Sequence, residues 1–202
     1  MDLDACRLTI DGGVQVELAF RSIYNVYNIL AAYAVCRECG VDSATAAGVI
    51  SNYILKNGRV QKFRLGDHAG MLLISKHENS IAYDTNLRYI RENTAPCTVM
   101  VLVDAVSRKY FTGETSWLWD IDFEQLNCEH VEKVLLCGRY ANDLAVRFSF
   151  TGIPAERLAL YPQVTDAVAM LKENGGEDVY LVTCFADQAK VMDLPDVKKE
   201  EL

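Results

Sequence analysis

From about residue 63 to residue 191, apolar runs of strand length alternate with segments that have helical spacing. This alternation is typical of α/β folds, in which a mostly parallel sheet is covered by helices on both faces. Right-handed crossovers between the strands then predict a Rossmann-like layout. The predicted strands are 71–75, 98–103, 133–137, 157–161 and 178–183, and the predicted helices lie near 80–91, 140–148, 164–174 and 185–191.

In such sheets, ligands and catalytic groups collect beyond the carboxyl ends of the strands. The loops that follow Ser75, Val103, Cys137 and Thr183 are therefore the predicted places for a functional site. No Walker sequence of the Gly-x4-Gly-Lys-Ser/Thr kind occurs in the chain, so none of these loops is an evident cradle for nucleotide phosphates.

The first part of the chain has a different pattern. Residues 5–20 alternate between apolar and polar in two arms around a turn at Asp11, which predicts a pair of strands. Apolar spacing predicts one helix over 26–39 and a second over 44–55, which Asp42 can cap. This block has the pattern expected at the end of a domain whose beginning is missing.

The change from helical to strand periodicity at residues 57–63 marks the one predicted domain boundary. Residues 1–60 are interpreted as a small α+β remnant, and residues 61–202 as the α/β domain. The charged residues 196–202 are predicted to form a frayed, solvated end.

The chain carries a formal net charge of −8 and has no cluster of basic residues. This argues against binding to nucleic acid or to an anionic membrane, since both depend on local Lys and Arg. The longest apolar run, residues 98–106, is interrupted by Asp104 and falls well short of the roughly 20 residues that a transmembrane helix needs. The N-terminus shows no export signal, so a cytoplasmic protein is expected.

The cysteines are scattered along the chain in an odd number, which favours reduced thiols over a disulfide framework. Cys36 and Cys39 have the spacing of a zinc knuckle or a redox pair, but they lie in a predicted helix and no second pair follows. Buried helix thiols are therefore favoured over a metal site, and no metal ligand is predicted in this chain.

The most distinctive segment is residues 114–124, which contains both tryptophans of the chain among several acidic residues. An extended run is predicted here, with apolar side chains on one face and carboxylates on the other. The aromatic face would anchor the segment and hold the carboxylates still. The apolar face would hold Trp117, Trp119, Ile121 and Phe123, and the acidic face Asp120, Asp122 and Glu124.

A fixed carboxylate can orient a histidine as the third member of a nucleophile-base-acid set, or it can bind a metal or an amine. The chain has only His68, His77 and His130, and neither Cys97 nor Cys137 lies in a recognisable nucleophile setting. A complete triad within the chain is therefore not expected. The alternative interpretation is an anchored loop whose acids are only solvated.

Asparagines and an arginine in the first block are weaker candidates. Asn25 and Asn28 lie where a strand meets a helix, and their amides either cap the helix or read the edge of a nucleotide base. Arg59 could bridge phosphates between two domains, or it could be an ordinary surface arginine.

Two basic residues follow predicted strands of the second block. Lys76 lies in a polar loop where a positive side chain and free backbone N–H groups can meet an anion, or where Asn79 simply caps the next helix. Arg139 could also meet an anion at the start of a helix. Asp143 and Arg147 have the i, i+4 spacing of a solvent-facing ion pair.

Taken together, these motifs resemble the MurT family of Mur ligases in their order and spacing, from about Leu8 to Val191. The Trp-rich motif is specific to that family, whereas the asparagine motif is shared by Mur ligases generally. The resemblance is carried by residues 24–32, 58–61, Lys76, 116–124 and 138–143.

The resemblance implies that residues 1–60 are the tail of a central ATPase domain and that residues 61–202 are a Rossmann-like C-terminal domain. It also implies a partner, GatD, which is a class I glutamine amidotransferase that releases ammonia from glutamine. The ligase subunit would then use ATP to activate the α-carboxylate of D-glutamate in lipid II as an acyl phosphate. Ammonia would displace the phosphate and leave D-isoglutamine.

In that family, an aspartate of the C-terminal domain is thought to complete the Cys-His pair of the partner. The resemblance assigns this role to Asp120, with Asp122 as the second choice. Contacts with nucleotide or substrate are predicted for Asn25, Asn28, Arg59, Lys76 and Arg139.

The sequence departs from the family pattern in two places. The loop after Lys76 reads His77-Glu78-Asn79, where the family usually has Asn-Pro and a small residue. The family's P-loop, which serves ATP and Mg, and its zinc-binding cysteine pairs are expected upstream of Met1. The chain is therefore expected to be a fragment that is inactive as a ligase by itself.

Two other classes of function remain open from the sequence. One is a non-catalytic interaction module that docks an amidotransferase, and it would support glutaminase activity without Asp120. The other is a free-standing Rossmann-like nucleotide-binding protein, and it would bind ATP as an isolated chain.

Overall fold

A computed structural model describes residues 7–18, 23–53, 60–76, 79–105, 113–174 and 178–200. The chain divides into two compact units, residues 1–58 and residues 59–202. In the described part of the chain, no helix combines the length and the apolar character that crossing a membrane requires.

The N-terminal unit consists of a strand pair and two helices, as predicted. Strands β1 and β2 pair antiparallel around a turn in which Asp11 and Gly12 adopt positive φ angles of 50° and 71°. The side chain of Asp42 accepts a hydrogen bond from the backbone N–H of Thr45 at 2.9 Å, so the second helix begins where a cap was predicted. The elements are β1 Arg7–Ile10, β2 Val14–Glu17, α1 Ile23–Glu38 and α2 Ser43–Ser51.

Among the described side chains of helix α1, only Val26 and Tyr33 are buried. The prediction of buried helix thiols was therefore wrong: Cys39 is exposed and Cys36 is half-buried. Each of the six described cysteines is a free thiol.

The C-terminal unit is built on a seven-stranded sheet with the order β7-β6-β5-β8-β4-β3-β9. The first five strands of this order run parallel, and they are the five strands that the sequence predicted. The mostly parallel α/β fold is thereby confirmed. The strands are β3 Val60–Leu65, β4 His68–Ser75, β5 Cys97–Leu102, β6 Val131–Cys137, β7 Leu158–Tyr161, β8 Asp178–Cys184 and β9 Val197–Glu200.

Both faces of the sheet are covered, because successive residues of a strand point to opposite sides. In β5, Val99 and Val101 lie in one core cluster, with α3 and α4, while Met100 and Leu102 lie in a second cluster, with α5 and α6. The helices are α3 Ser80–Glu92, α4 Ala141–Phe148, α5 Val164–Asn174 and α6 Ala189–Met192.

The end of the chain differs from the prediction of a frayed tail over 196–202. Residues 197–200 form strand β9, which pairs antiparallel with β3 and buries Val197. Strand β3 was also not predicted, although Phe63 and Leu65 alternate with polar residues and are buried. The charged side chains of β9 point to solvent, as is common on an edge strand. Because of these charges, the sequence pattern did not indicate a strand here.

If the Val197 side chain of β9 is part of the core, shortening it should lower the stability of the chain. We expect Val197→Ala to lower the free energy of unfolding of the chain by about 1.5 kcal/mol, measured in urea. Lys198→Ala, on the exposed side of the same strand, is the control and should change it by less than about 0.5 kcal/mol. Equal urea midpoints for Val197→Ala and wild type would contradict the strand assignment.

Candidate functional site

The Trp-rich segment does not form the extended run that the sequence predicted. It forms two short 3₁₀ helices, Ser116–Asp120 and Phe123–Leu126, with an extended residue, Ile121, between them. Local backbone hydrogen bonds close both turns, such as Leu118 N–H to the carbonyl of Thr115 at 3.0 Å. The prediction of an extended run, which rested on alternation with a period of two residues, was therefore wrong for this segment.

The division into anchoring and exposed side chains is mostly as predicted, apart from Trp119. Trp117, Ile121 and Phe123 are buried, and the ring of Trp117 lies 5.6 Å from the ring of Tyr83 in helix α3. The side chain of Trp119 is 52% exposed. In a 3₁₀ helix, residues two apart point in different directions, so only Trp117 reaches the core.

Arg147 is the residue around which the segment is organised. It lies in α4, and it is 5% exposed. Its guanidinium donates hydrogen bonds to the carbonyls of Leu118 at 3.3 Å and Ile121 at 2.8 Å. It also forms a bidentate ion pair with Glu124 at 2.9 and 2.7 Å. One buried cation therefore binds the backbone on both sides of Asp120.

The predicted solvent-facing pair between Asp143 and Arg147 was wrong. Asp143 instead accepts a hydrogen bond from the hydroxyl of Thr115 at 2.9 Å. The sequence did contain a signal, because Leu144, Arg147 and Phe148 share the buried face of an amphipathic helix. A single arginine on such a face indicates a partner from another part of the chain.

The three predicted carboxylates have different surroundings. All three are exposed, and Glu124 is paired with Arg147. The backbone N–H of Asp122 donates to the carboxylate of Asp84 at 2.8 Å. Within the described residues, the carboxylate of Asp120 makes no hydrogen bond or ion pair, so it is accessible and its oxygens are unused.

The ion pair of Glu124 should be visible in the pH dependence of stability. Hydrogen bonds from Arg147 lower the pKa of Glu124 below its ordinary value. A lowered folded-state pKa stabilises the protein above the unfolded-state pKa, and this stability is lost as the pH falls through the folded-state value. We expect Glu124→Gln to be less stable than wild type at about pH 6, and the difference to shrink as the pH falls below the ordinary carboxyl pKa of about 4.3. Urea denaturation at several pH values measures this; a difference that does not change with pH would contradict it.

A second group of side chains fixes the carboxyl edge of the sheet. Asp187 is fully buried, and its carboxylate accepts from the backbone N–H groups of Asp104 at 2.8 Å and Ala105 at 2.9 Å. Lys190 pairs with both Asp104 and Asp187. Asp104 also accepts from the backbone N–H of Arg139 at 2.7 Å. The sequence identified the loops after β5, β6 and β8, but not the carboxylate that joins them.

The other predicted site residues are dispersed. Lys76 and Arg139 are exposed; Lys76 directly follows β4, and Arg139 lies two residues after the end of β6. Asn28 is exposed inside helix α1 of the other unit, so it does not cap that helix. The side chain of Asn25 and the whole of Arg59 lie outside the described residues.

Lys76 and Arg139 follow strands that are not neighbours in the sheet. Two strands, β5 and β8, separate β4 from β6, which corresponds to roughly 14 Å between the strands. Over the described ranges, no three acidic, histidine or cysteine side chains are grouped to hold a metal ion. The described residues therefore do not by themselves fit ATP phosphates with Mg²⁺.

Comparison with known proteins gives matches over most of the chain. Residues 77–187, more than half of the chain, match the family described as MurT ligase C-terminal. The chain is 27% identical over 192 residues to the lipid II isoglutaminyl synthase (glutamine-hydrolyzing) subunit MurT of Streptococcus pneumoniae, covering 93% of this chain and 41% of that protein. It is 27% identical over 130 residues to the subunit of the same name from Staphylococcus aureus strain COL, covering 64% of this chain and 29% of that protein. The chain thus spans less than half the length of these relatives.

Solved structures of Mur ligases have the same fold. A structure of MurF from Acinetobacter baumannii superposes with a TM-score of 0.64 at 14% identity, covering 93% of this chain and 41% of that one. The murein peptide ligase of Psychrobacter arcticus 273-4 gives a TM-score of 0.55 at 15% identity, covering 84% and 35%. At these identities the likeness concerns the fold alone.

Proposed function

We propose, because this chain belongs to the MurT ligase C-terminal family, that it is the C-terminal part of the synthetase subunit of a glutamine-dependent amidotransferase. The complete enzyme would amidate the D-glutamate of lipid II to D-isoglutamine, with ATP and with ammonia from a GatD-type glutaminase subunit. The similarity to the lipid II isoglutaminyl synthase (glutamine-hydrolyzing) subunit of Streptococcus pneumoniae supports this proposal.

The observation that carries the proposal is the exposed carboxylate of Asp120 on a segment tied to Arg147. A glutaminase that works through a cysteine and a histidine needs a carboxylate to hold the imidazole in the correct tautomer and to stabilise it when it is protonated. Such a carboxylate must be accessible, it must be carried on a backbone that is held in place, and it must not already be used by its own chain. Asp120 meets these requirements among the described residues.

Asp122 is the second choice for this role. Its side chain is also exposed, but it lies beside another acid, since the backbone N–H of Asp122 donates to the carboxylate of Asp84 at 2.8 Å. A carboxylate among like charges is less free to turn toward a partner's histidine. We therefore rank Asp120 first.

The ligase chemistry is assigned to the longer enzyme, and this chain alone is expected to be inactive as a ligase. ATP would form the acyl phosphate on the α-carboxylate, with its Mg²⁺ held mainly by residues outside this chain. We propose that five residues of this chain contact the nucleotide or the substrate in the longer enzyme. These are Asn25, Asn28, Arg59, Lys76 and Arg139.

Reconstitution with the glutaminase subunit from the same organism tests the proposal. Release of glutamate from glutamine is measured for the glutaminase alone and after addition of this chain. We expect the rate to rise with chain concentration and to saturate as the complex forms. No increase in rate, with a complex demonstrated by gel filtration, would contradict a catalytic contribution and favour the interaction-module alternative.

A further inference from the structure

Three large apolar side chains are exposed beside Asp120, and they form what we call the Trp119 patch: Trp119, Val146 and Phe150. They are 52%, 57% and 67% exposed. The rings of Trp119 and Phe150 contact each other edge to face, with their centroids 5.3 Å apart. The patch thus joins the 3₁₀ helix that ends at Asp120 to the end of helix α4.

The patch is separate from the apolar core of the unit. Phe123 of the second 3₁₀ helix and Phe148 of α4 lie in the core instead, with their ring centroids 4.6 Å apart. The ring of Trp119 lies 5.6 Å from the guanidinium of the buried Arg147, which limits the movement of the ring. An exposed aromatic group that is already held in place loses little entropy on binding, and tryptophan is enriched among interface hot spots.

The surroundings of the patch are acidic. A groove of about 280 Å³ runs beside Trp119 and is lined in part by Asp143. Asp120 and Asp122 are exposed in the adjoining segment, and Glu114 is exposed just before it. Of the cations near these acids, Arg147 is paired with Glu124, and Arg88 lies beside Asp84. An apolar centre with an acidic border is complementary to an apolar pocket bordered by Lys or Arg.

We infer that the Trp119 patch is the docking anchor for the glutaminase subunit, whose contact face carries an apolar pocket with a basic border. The inference rests on the proposed function. A carboxylate reaches an imidazole only at hydrogen-bond distance, about 2.6 to 3.2 Å, so a partner that uses Asp120 comes close to Trp119, the residue next to it in the same 3₁₀ helix. The patch is then the centre of the interface. Its side chains contribute to the affinity for the glutaminase subunit, whereas Asp120 contributes to the rate of glutamate release.

The test is the affinity of the glutaminase subunit for single variants of the patch, with its rate of glutamate release measured in parallel. Phe150→Ser and Val146→Ser remove apolar surface without altering Asp120. Leu160→Ser, on the exposed side of β7, is the matched control. Circular dichroism and urea midpoints verify that the variants are folded.

We expect each patch variant to raise the Kd about tenfold or more, with the rate at saturating glutaminase near that of wild type. The control should bind as wild type does, and the Kd of wild type should rise with salt, since the borders are oppositely charged. Unchanged affinity for both patch variants would overturn the inference while leaving the proposed function intact. Dimers of this chain that the patch variants abolish would also overturn it, because the occupant would be a second copy. A wild-type chain that binds no glutaminase would instead refute the proposed function itself.

Discussion

Arg147→Met is expected to lower the free energy of unfolding by about 3 kcal/mol, because the variant removes one buried cation with several partners. The carbonyls of Leu118 and Ile121 lose their donor, and Glu124 loses its ion pair. For a chain of this size, the corresponding fall in Tm is roughly 6 to 12 °C. Thermal and urea denaturation measure the effect.

Two further variants show whether this loss of stability depends on the geometry of the guanidinium. Arg147→Lys keeps the charge, but a single ammonium cannot reach two carbonyls and both oxygens of Glu124, so we expect at least half of the loss to remain. Arg64→Met breaks the exposed pair with Glu200 and should cost less than about 1 kcal/mol. A loss for Arg147→Met no larger than that for Arg64→Met would show that Arg147 does not organise the segment.

Asp120→Asn is expected to reduce the rate of glutamate release by the complex about 10³- to 10⁴-fold, with the Kd for the glutaminase subunit nearly unchanged. The amide has the shape of the carboxylate but not its charge, so it cannot stabilise a protonated imidazole. Because Asp120 makes no bond to described residues of its own chain, the substitution should leave the urea midpoint unchanged.

Asp122→Asn is the matched control, since it is exposed in the same segment and two residues away. We expect less than about a fivefold effect on the rate from this variant, because in our proposal it does not touch the imidazole. If Asp122→Asn has the large effect and Asp120→Asn the small one, the two roles are exchanged. If both variants keep the wild-type rate, the chain docks the glutaminase without supplying a catalytic group.

The effect of Arg147→Met on the glutaminase links these two predictions. Arg147 holds the backbone on both sides of Asp120, so it acts as a positioning residue. Its loss should reduce the saturated rate more than it reduces affinity. Disorder around Asp120 would then lower the fraction of complexes in which the carboxylate faces the imidazole.

Several elements could be predicted from the sequence because their causes are local. Strands such as β5 and β8 are continuous apolar runs, and burial on both faces of a parallel sheet requires that pattern. The caps at Asp42 and Asn79 are also local, because each side chain bonds a backbone N–H three residues later. The exposed acids of the Trp-rich segment could likewise be identified, although their backbone conformation could not.

Other features were decided only by the tertiary structure, because they depend on contacts between residues that are far apart in the chain. Arg147 is buried because the carbonyls of residues 118 and 121 need donors, and residues 197–200 form a strand because the edge of β3 is open to them. Likewise, Trp117 rather than Trp119 enters the core, since helix α3 places Tyr83 beside it. The sequence by itself determined the fold class and the acidic, aromatic segment through local periodicity and composition. Long-range hydrogen bonding and packing, which periodicity does not record, decided which carboxylate is left accessible.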